Sequence, residues 1–344
     1  MHVSDALLSP AVGGIFWVGT LGTIAYCSKK VKEDPDERRV PLMGVVGAFI
    51  FAAQMVNFSI PGTGSSGHLT GGMILAIILG PYAAFIVMAS ILIVQALFFA
   101  DGGLLALGCN IWNMGFYSCF IAYPFIFRLI AGKRMTSKRL LAASLLSAVA
   151  ALPMGAFSVV METFLSGRSE LPLRSFIWLM LPIHLAIGFV EGCITAGVIG
   201  YVRSARPELV GVSPDRRISS TGVSVRKVVF TFLALAVITG GVVSWFASAN
   251  PDGLEWSVGK VYGKPELPDP VTGLGAALKT LQEKTAFLAD YSVASMRGQK
   301  SVQTSWPHVQ VGTSVSGILG AFIVMGFLFA IGWIPRFLRK RKAS

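Results

Sequence analysis

The chain has 344 residues, of which 53% are hydrophobic and only 13% charged, with mean hydropathy +0.67 and a formal net charge of +12. Apolar runs of the roughly 20 residues needed to cross a bilayer recur along it, which excludes a soluble fold and implies an all-α polytopic membrane protein. Lys and Arg cluster between those runs as orientation signals do, which excludes the nucleic-acid partner that such a charge would suggest in a soluble protein.

The chain opens Met1-His2 with no basic, apolar-core or cleavage-site pattern of a signal peptide, so the mature protein is expected to begin at Met1. The initiator methionine should stay, because His2 is too large for the processing peptidase. Such a start offers an α-amine, the deprotonated His2 amide and the His2 imidazole, spaced to close a five-membered and a six-membered chelate ring. A fourth nitrogen would complete a square plane suited to Ni(II), Cu(II) or Co(II), and not to the tetrahedral preference of zinc. Taken alone, a histidine in a frayed chain end is the more common case.

A first span is expected over residues 10–27, followed by Lys29, Lys30, Lys32, Arg38 and Arg39. That loop reads as cytoplasmic, with the N-terminus outside. A second span, over 41–60, returns outward to Pro61-Gly62-Thr63-Gly64-Ser65-Ser66-Gly67-His68. Gly62 and Gly67 have the spacing of a phosphate-binding loop, but His68 and Leu69 stand where Lys and Ser or Thr are needed, so the match is a decoy. Its glycines instead allow the tight turn that would bring His68 against the N-terminus.

From 69 to 100 the chain is apolar for about 32 residues, roughly 48 Å as one helix against a core of about 30 Å, so it must break. Gly80-Pro81 is the expected place. Further spans follow over 104–127, 140–165 and 176–202, with Arg128, Lys133, Arg134, Lys138 and Arg139 between the first two. The division expected is a metal-capture module over 1–202 with seven helices, a polar linker over 203–227, and an accessory module over 228–344 with two. The accessory spans, 228–248 and 312–334, enclose an outer loop, and the basic C-terminus lies inside.

Polar groups at membrane depth are costly and point to function. They are Gln54, Asn57, Gln95, Asn110, Asn113, Glu162, His184 and Glu191. His184 and Glu191, seven apart, share a helical face and are read first as a buried pair. Asp101, near a helix end, either orients an imidazole or forms the turn of Asp101-Gly102-Gly103. Cys27, Cys109, Cys119 and Cys193 lie in apolar runs without CxxC spacing, so neither a disulfide framework nor a thiolate metal site is implied.

Met1-His2 with Leu8-Ser9-Pro10, the loop ending Gly67-His68, Gln95 to Gly103, Leu107-Gly108 to Asn110 with Asn113-Met114, and His184 to Gly192 resemble the substrate-capture component of energy-coupling-factor nickel/cobalt transporters. Asn250-Pro251-Asp252-Gly253-Leu254-Glu255-Trp256 after a span is similar to the small accessory component, so the chain looks like a fusion of the M and N proteins. The resemblance implies a metal held by Met1, His2 and His68, with Ser66, Gln95, Asp101, Asn113, His184 and Glu191 behind the ligands or in coupling. Asp252 and Glu255 would mark the accessory motif. It implies uptake of Ni(II) or Co(II), nickel favoured, across a prokaryotic cytoplasmic membrane, driven by a transmembrane coupling protein and cytoplasmic ATPases, with no cofactor and no catalysis by this chain. One departure is Ala6-Leu7, where the family has Gly-Phe; a left-handed residue there would strain Ala6. The rivals are an ion-gradient-driven metal transporter, favoured by Glu162, His184 and Glu191 but lacking an inverted repeat, and a metalloprotease, which lacks HExxH.

Overall fold

The computed structural model describes residues 2–33, 39–132, 135–167, 171–210, 225–265, 267–268, 273–291, 307, 309 and 311–343. They form helices α1 (Pro10–Glu33), α2 (Arg39–Gln54), α3 (Gly72–Leu79), α4 (Pro81–Phe99), α5 (Leu107–Ala131), α6 (Ser137–Ser166) and α7 (Leu173–Ala205). Beyond them come α8 (Val225–Gly241), α9 (Gly253–Tyr262), α10 (Gly273–Thr285) and α11 (Val311–Ala343). Six of these, α1, α4, α5, α6, α7 and α11, are long and apolar enough to cross a membrane, and the shorter α2 is apolar too. The chain is therefore an all-α polytopic membrane protein.

The long apolar run breaks at Gly80, whose φ of 78° with ψ of 161° is open to glycine, and Pro81 starts the next helix. All eight residues of α3 are buried. At about 12 Å it cannot cross alone and instead forms the centre, surrounded by α2, α4, α5 and α7. α6 and α7 form the most extensive helix pair, and α1 lies along α4 and α5. Helices α8 and α11 after the linker do not stand apart: they pack on α2 and on each other, though α8, at 17 residues, is shorter than the six spans above.

Several boundaries differ from expectation. α1 runs on to Glu33 because a helix can continue into water past the apolar run. α2 stops at Gln54, since the chain then enters a hairpin of β1 (Phe58–Ile60) and β2 (Ser65–Gly67), paired Phe58 with Gly67 and Ile60 with Ser65. Pro61-Gly62-Thr63-Gly64 makes its turn, with φ near 77° at Gly62 and 75° at Gly64. α8 ends at Gly241, short of the expected 248, where a tight turn over Val243–Phe246 begins. The accessory loop contains α9 and α10. Residues 211–224 of the linker, and Met1, lie outside the described residues.

α8 and α11 cross where Gly240 meets Gly317, and a Cβ on Gly317 would lie 2.5 Å from the Gly240 carbonyl oxygen. Small residues of this kind let helix backbones approach in a membrane. Gly317→Val is expected to cost about 1–3 kcal/mol, read as a lower thermal midpoint of the detergent-solubilised protein. Gly326→Val, where an added Cβ meets nothing within 4 Å, is expected to leave it unchanged.

Candidate metal centre

The segment before α1 is drawn into the protein rather than left frayed. Val3 is fully buried, and its N–H donates to Asn110 Oδ1 at 2.8 Å while its carbonyl accepts from Asn110 Nδ2 at 3.2 Å and from Gly103 N–H at 3.0 Å. Asp5 Oδ1 accepts from the Ala106 N–H at 2.9 Å. A Cβ at Gly103 would sit 1.8 Å from Asp5 Oδ1, so only glycine allows this approach. Asp5–Leu7 forms a single tight turn, and Ala6 is not among the residues with positive φ. The expected strain at Ala6 is absent because the turn keeps it in ordinary backbone space.

This anchoring sets the His2 imidazole beside that of His68. The rings are near parallel, 21° apart, with centroids 5.2 Å from each other, a spacing at which one nitrogen of each can reach a common ion at about 2 Å. His2 Nε2 lies 3.2 Å from Gln95 Oε1 and Nδ1 lies 3.3 Å from Asp101 Oδ1. His68, delivered by the end of β2, places Nδ1 3.0 Å from the Leu69 carbonyl, which assigns the proton to Nδ1 and the lone pair to Nε2. Burial lowers the pKa of His2 and takes that of His68 down to about 3, so both rings are neutral at pH 7 and could take a metal without first losing an imidazolium proton. Among the described residues no three His, Cys, Asp or Glu side chains group as metal ligands, so two imidazoles would need their remaining donors from elsewhere.

The final turn of α4, Gln95–Phe99, is wound as a π-helix and closes on Ala100 with φ of 56°. Such widened turns cluster at functional sites, and this one presents Gln95 and Asp101 to the same ring. Asp101 Oδ2 accepts from the Tyr291 hydroxyl at 2.5 Å, and Gln282 of α10 donates to the Ala96 and Gly102 carbonyls at 2.9 and 2.7 Å. The accessory part thus holds the loop that holds the chain start. A cavity of about 700 Å³ opens here, lined by His2, His68, Asp101, Asp252, Glu255 and Tyr291 among others.

The remaining candidates separate. Ser66 faces the accessory part: its N–H donates to the Pro251 carbonyl at 2.8 Å and its hydroxyl to Asn250 at 2.8 Å. Asp252 accepts from the Leu254 and Glu255 N–H groups, and Glu255 accepts from the Asp252 N–H, a capping box. Pro251-Asp252-Gly253 therefore starts a helix, α9. His184 and Glu191 do not pair. His184 lies in the first half of α7, against Gly253 and the His68 loop, with Nδ1 2.7 Å from the Met180 carbonyl. Glu191 accepts from the Thr70 N–H and hydroxyl and from Gly71 N–H, so it grips the turn after His68. A seven-residue spacing shares a face but leaves two turns between the groups, and each finds a nearer partner. Asn113 joins α5 to α6 through Glu162 at 2.9 Å and does not line the cavity. Thr70, Gln282 and Tyr291 take part without having been read as site residues, and Gln54 and Asn110 were read as functional without an assigned role. Intramembrane polarity marked Gln54 and Asn110; nothing local marked the others.

The region over residues 2–209 matches the family of CbiM, the cobalt-uptake substrate-specific transmembrane region, and residues 226–336 match the PDGLE domain. A protein of Archaeoglobus fulgidus named as a fused nickel transport protein, NikMN, is 32% identical over 335 residues, 96% of this chain and 98% of that one. One of Haloquadratum walsbyi named as a metal transport protein is 36% identical over 222 residues, 62% of this chain and 99% of its own. The crystal structure of a truncated transition metal transporter superposes with a TM-score of 0.53 at 31% identity, covering 59% of this chain and 99% of that one.

Removing both bonds to Val3 by Asn110→Ala leaves a buried amide and carbonyl short of partners, a cost of about 1–3 kcal/mol. Amide exchange of peptides covering residues 2–8 should then rise roughly ten- to a hundredfold in mass spectrometry. Unchanged protection would mean that apolar packing of Val3, Leu7 and Leu8 holds the segment by itself.

Proposed function

We propose, for a chain that belongs to the CbiM family of cobalt-uptake substrate-specific transmembrane proteins and carries a PDGLE domain behind that region, that it captures Ni(II), or Co(II), as the substrate-specific component of an ATP-driven energy-coupling-factor transporter. The protein is a multi-pass membrane protein of a nickel and cobalt transport family. Residues 1–202 form the capture module, 203–227 the linker and 228–344 the accessory module. Its setting is the prokaryotic cytoplasmic membrane.

The observation that carries this reading is the parallel pair of His2 and His68 rings at 5.2 Å, each with its other nitrogen or its neighbouring loop hydrogen-bonded into the fold. Two neutral imidazoles, with no third side-chain ligand among the described residues, suit a set completed by backbone nitrogen: the α-amine of Met1 and the His2 amide. All-nitrogen square-planar coordination favours nickel over zinc. Energy then comes from partners, a transmembrane coupling protein and cytoplasmic ATPases. The glycine run over 62–67 supports this, since it forms a hairpin turn followed by His68 and offers no phosphate-binding lysine. The groups that favoured a gradient-driven transporter, Glu162, His184 and Glu191, each have a local partner: Asn113 donates to Glu162, Thr70 to Glu191, and His184 meets the Met180 carbonyl.

One glycine added before Met1 turns the amine into an amide and keeps every side chain. It is expected to abolish tight Ni(II) binding by the purified protein, as are His2→Ala and His68→Ala, whereas a C-terminal extension has no effect. Full one-to-one binding by the extended protein in a metal titration removes the N-terminal chelate from the mechanism.

The same ligand set predicts a pH dependence. Binding releases one proton from the His2 amide and most of another from the α-amine, whose ordinary pKa is about 8, while His68, at about 3, releases none. Apparent affinity should therefore fall about a hundredfold for each unit that pH drops below roughly 7.5. A site built from the two neutral imidazoles alone would show a nearly flat profile between pH 6 and 8.

A further inference from the structure

A carbonyl oxygen can only accept a hydrogen bond, and this limits the side chains behind His2 to one arrangement. Thr70 presents its backbone carbonyl to Gln54, so the end of Gln54 facing it, at 2.8 Å, is Nε2. The second N–H of Gln54 points at Met88 Sδ, 3.8 Å away. Gln54 Oε1 is then the atom turned to Gln95, and it accepts from Gln95 Nε2 at 2.9 Å. Gln95, fully buried, is left with Oε1 facing His2 Nε2 at 3.2 Å. An amide oxygen cannot donate, so the proton this contact requires is the one on His2 Nε2, and Nδ1 is left facing the Asp101 carboxylate at 3.3 Å, on the side where a cation would sit.

We propose that Gln54 is a positioning residue that acts through Gln95 to fix the proton of His2 on Nε2 and thereby make Nδ1 the nitrogen offered to the metal. The inference rests on the reading of His2 as a ligand. The choice of nitrogen matters because only Nδ1 closes the six-membered ring with the His2 amide. A ring carrying its proton on Nδ1 would present Nε2 and open that chelate. The polarity originates at Thr70, whose N–H and hydroxyl are given to Glu191, so the same turn that follows His68 also orients His2. One hydrogen-bonded chain, Glu191 to Thr70 to Gln54 to Gln95 to His2, thus aligns both imidazoles. No member of it except His2 touches the ion.

The test uses the full chain in detergent, titrated with Ni(II) alone and followed by visible absorption. Gln54→Met keeps the volume but cannot accept from Gln95; it is expected to weaken binding ten- to a hundredfold, as loss of groups that orient ligands does, and to change the planar four-nitrogen spectrum. Gln54→Glu, buried and facing the Thr70 carbonyl, can keep the arrangement as the neutral acid, its O–H donating to Thr70 and its other oxygen accepting from Gln95 Nε2, and should stay within a fewfold of the wild type with the same spectrum. Gln54→Met with wild-type affinity and spectrum overturns the proposal, and so does Gln54→Glu failing as badly as Gln54→Met. If Gln54→Met does not fold, ¹⁵N-histidine spectra of the metal-free wild type decide, with the His2 signals identified by their loss in His2→Ala. A proton on Nε2 is expected; an unprotonated Nε2 overturns the relay. Failure of the metal reading is distinguishable, because His2→Ala would then still bind Ni(II) one to one, whatever the Gln54 variants do.

Discussion

Burying the backbone of the segment around Val3 is the constraint on which the rest of this site depends. A segment in water hydrogen-bonds freely, whereas a buried N–H or C=O left unmade costs several kcal/mol. Val3 is buried with its N–H and carbonyl satisfied by one side chain, Asn110, and by Gly103. A carboxamide is the side chain that can do both at once, being donor and acceptor on one plane. Because those bonds fix Val3, they fix the His2 backbone one residue away. The close contact of Asp5 with Gly103 and its bond from Ala106 then set the angle at which the chain leaves toward α1.

The accessory part supports the same geometry from the other side. Gln282 ties the Ala96 and Gly102 carbonyls together, and Tyr291 bonds the carboxylate that faces His2. Ser66 adds the Asn250–Asp252 segment to the hairpin as a third, short strand-like partner through a parallel bridge. The centre is therefore assembled from the chain start, the hairpin, the end of α4 and the accessory loop. Their acidic groups, Asp101, Asp252 and Glu255, face one cavity and bias it toward cations. At about 700 Å³ that cavity exceeds what a bare ion occupies, so in the proposed capture the ion would be held by its ligands and not by enclosure.

Rigidity follows from where the network is anchored. α3 is wholly buried and α4 nearly so, and both deliver their site ends, Thr70–Gly71 and Gln95–Asp101, from a closely packed, buried part of the fold. The π-turn at Gln95–Phe99 is what allows one helix end to aim two side chains at the same imidazole. Packing of α8 and α11 on α2 in turn backs Gln54, which lies at the last turn of α2.

Much of this was open to reading from the sequence. Apolar length and basic clusters are local properties of composition, so they determined the membrane class, the approximate spans and the break at Gly80-Pro81, where steric limits act within two residues. The chemistry of Met1-His2 and the departure of His68-Leu69 from a phosphate-binding loop were equally local, as was the high cost of Gln54, Gln95 and Glu191 in an apolar setting. What only the tertiary structure decided were partners. Glu191 chose Thr70 over His184, Gln54 turned its donor to Thr70 and its acceptor to Gln95, and Tyr291, more than a hundred residues beyond either histidine, reached Asp101. The hairpin was hidden because strands of three residues are too short to show alternation. Pro-Asp-Gly could as well end a helix as begin one until Glu255 closed the capping box. Hydrogen bonds between residues far apart in the chain depend on orientation within an ångström or so, and no local pattern of polarity contains that information.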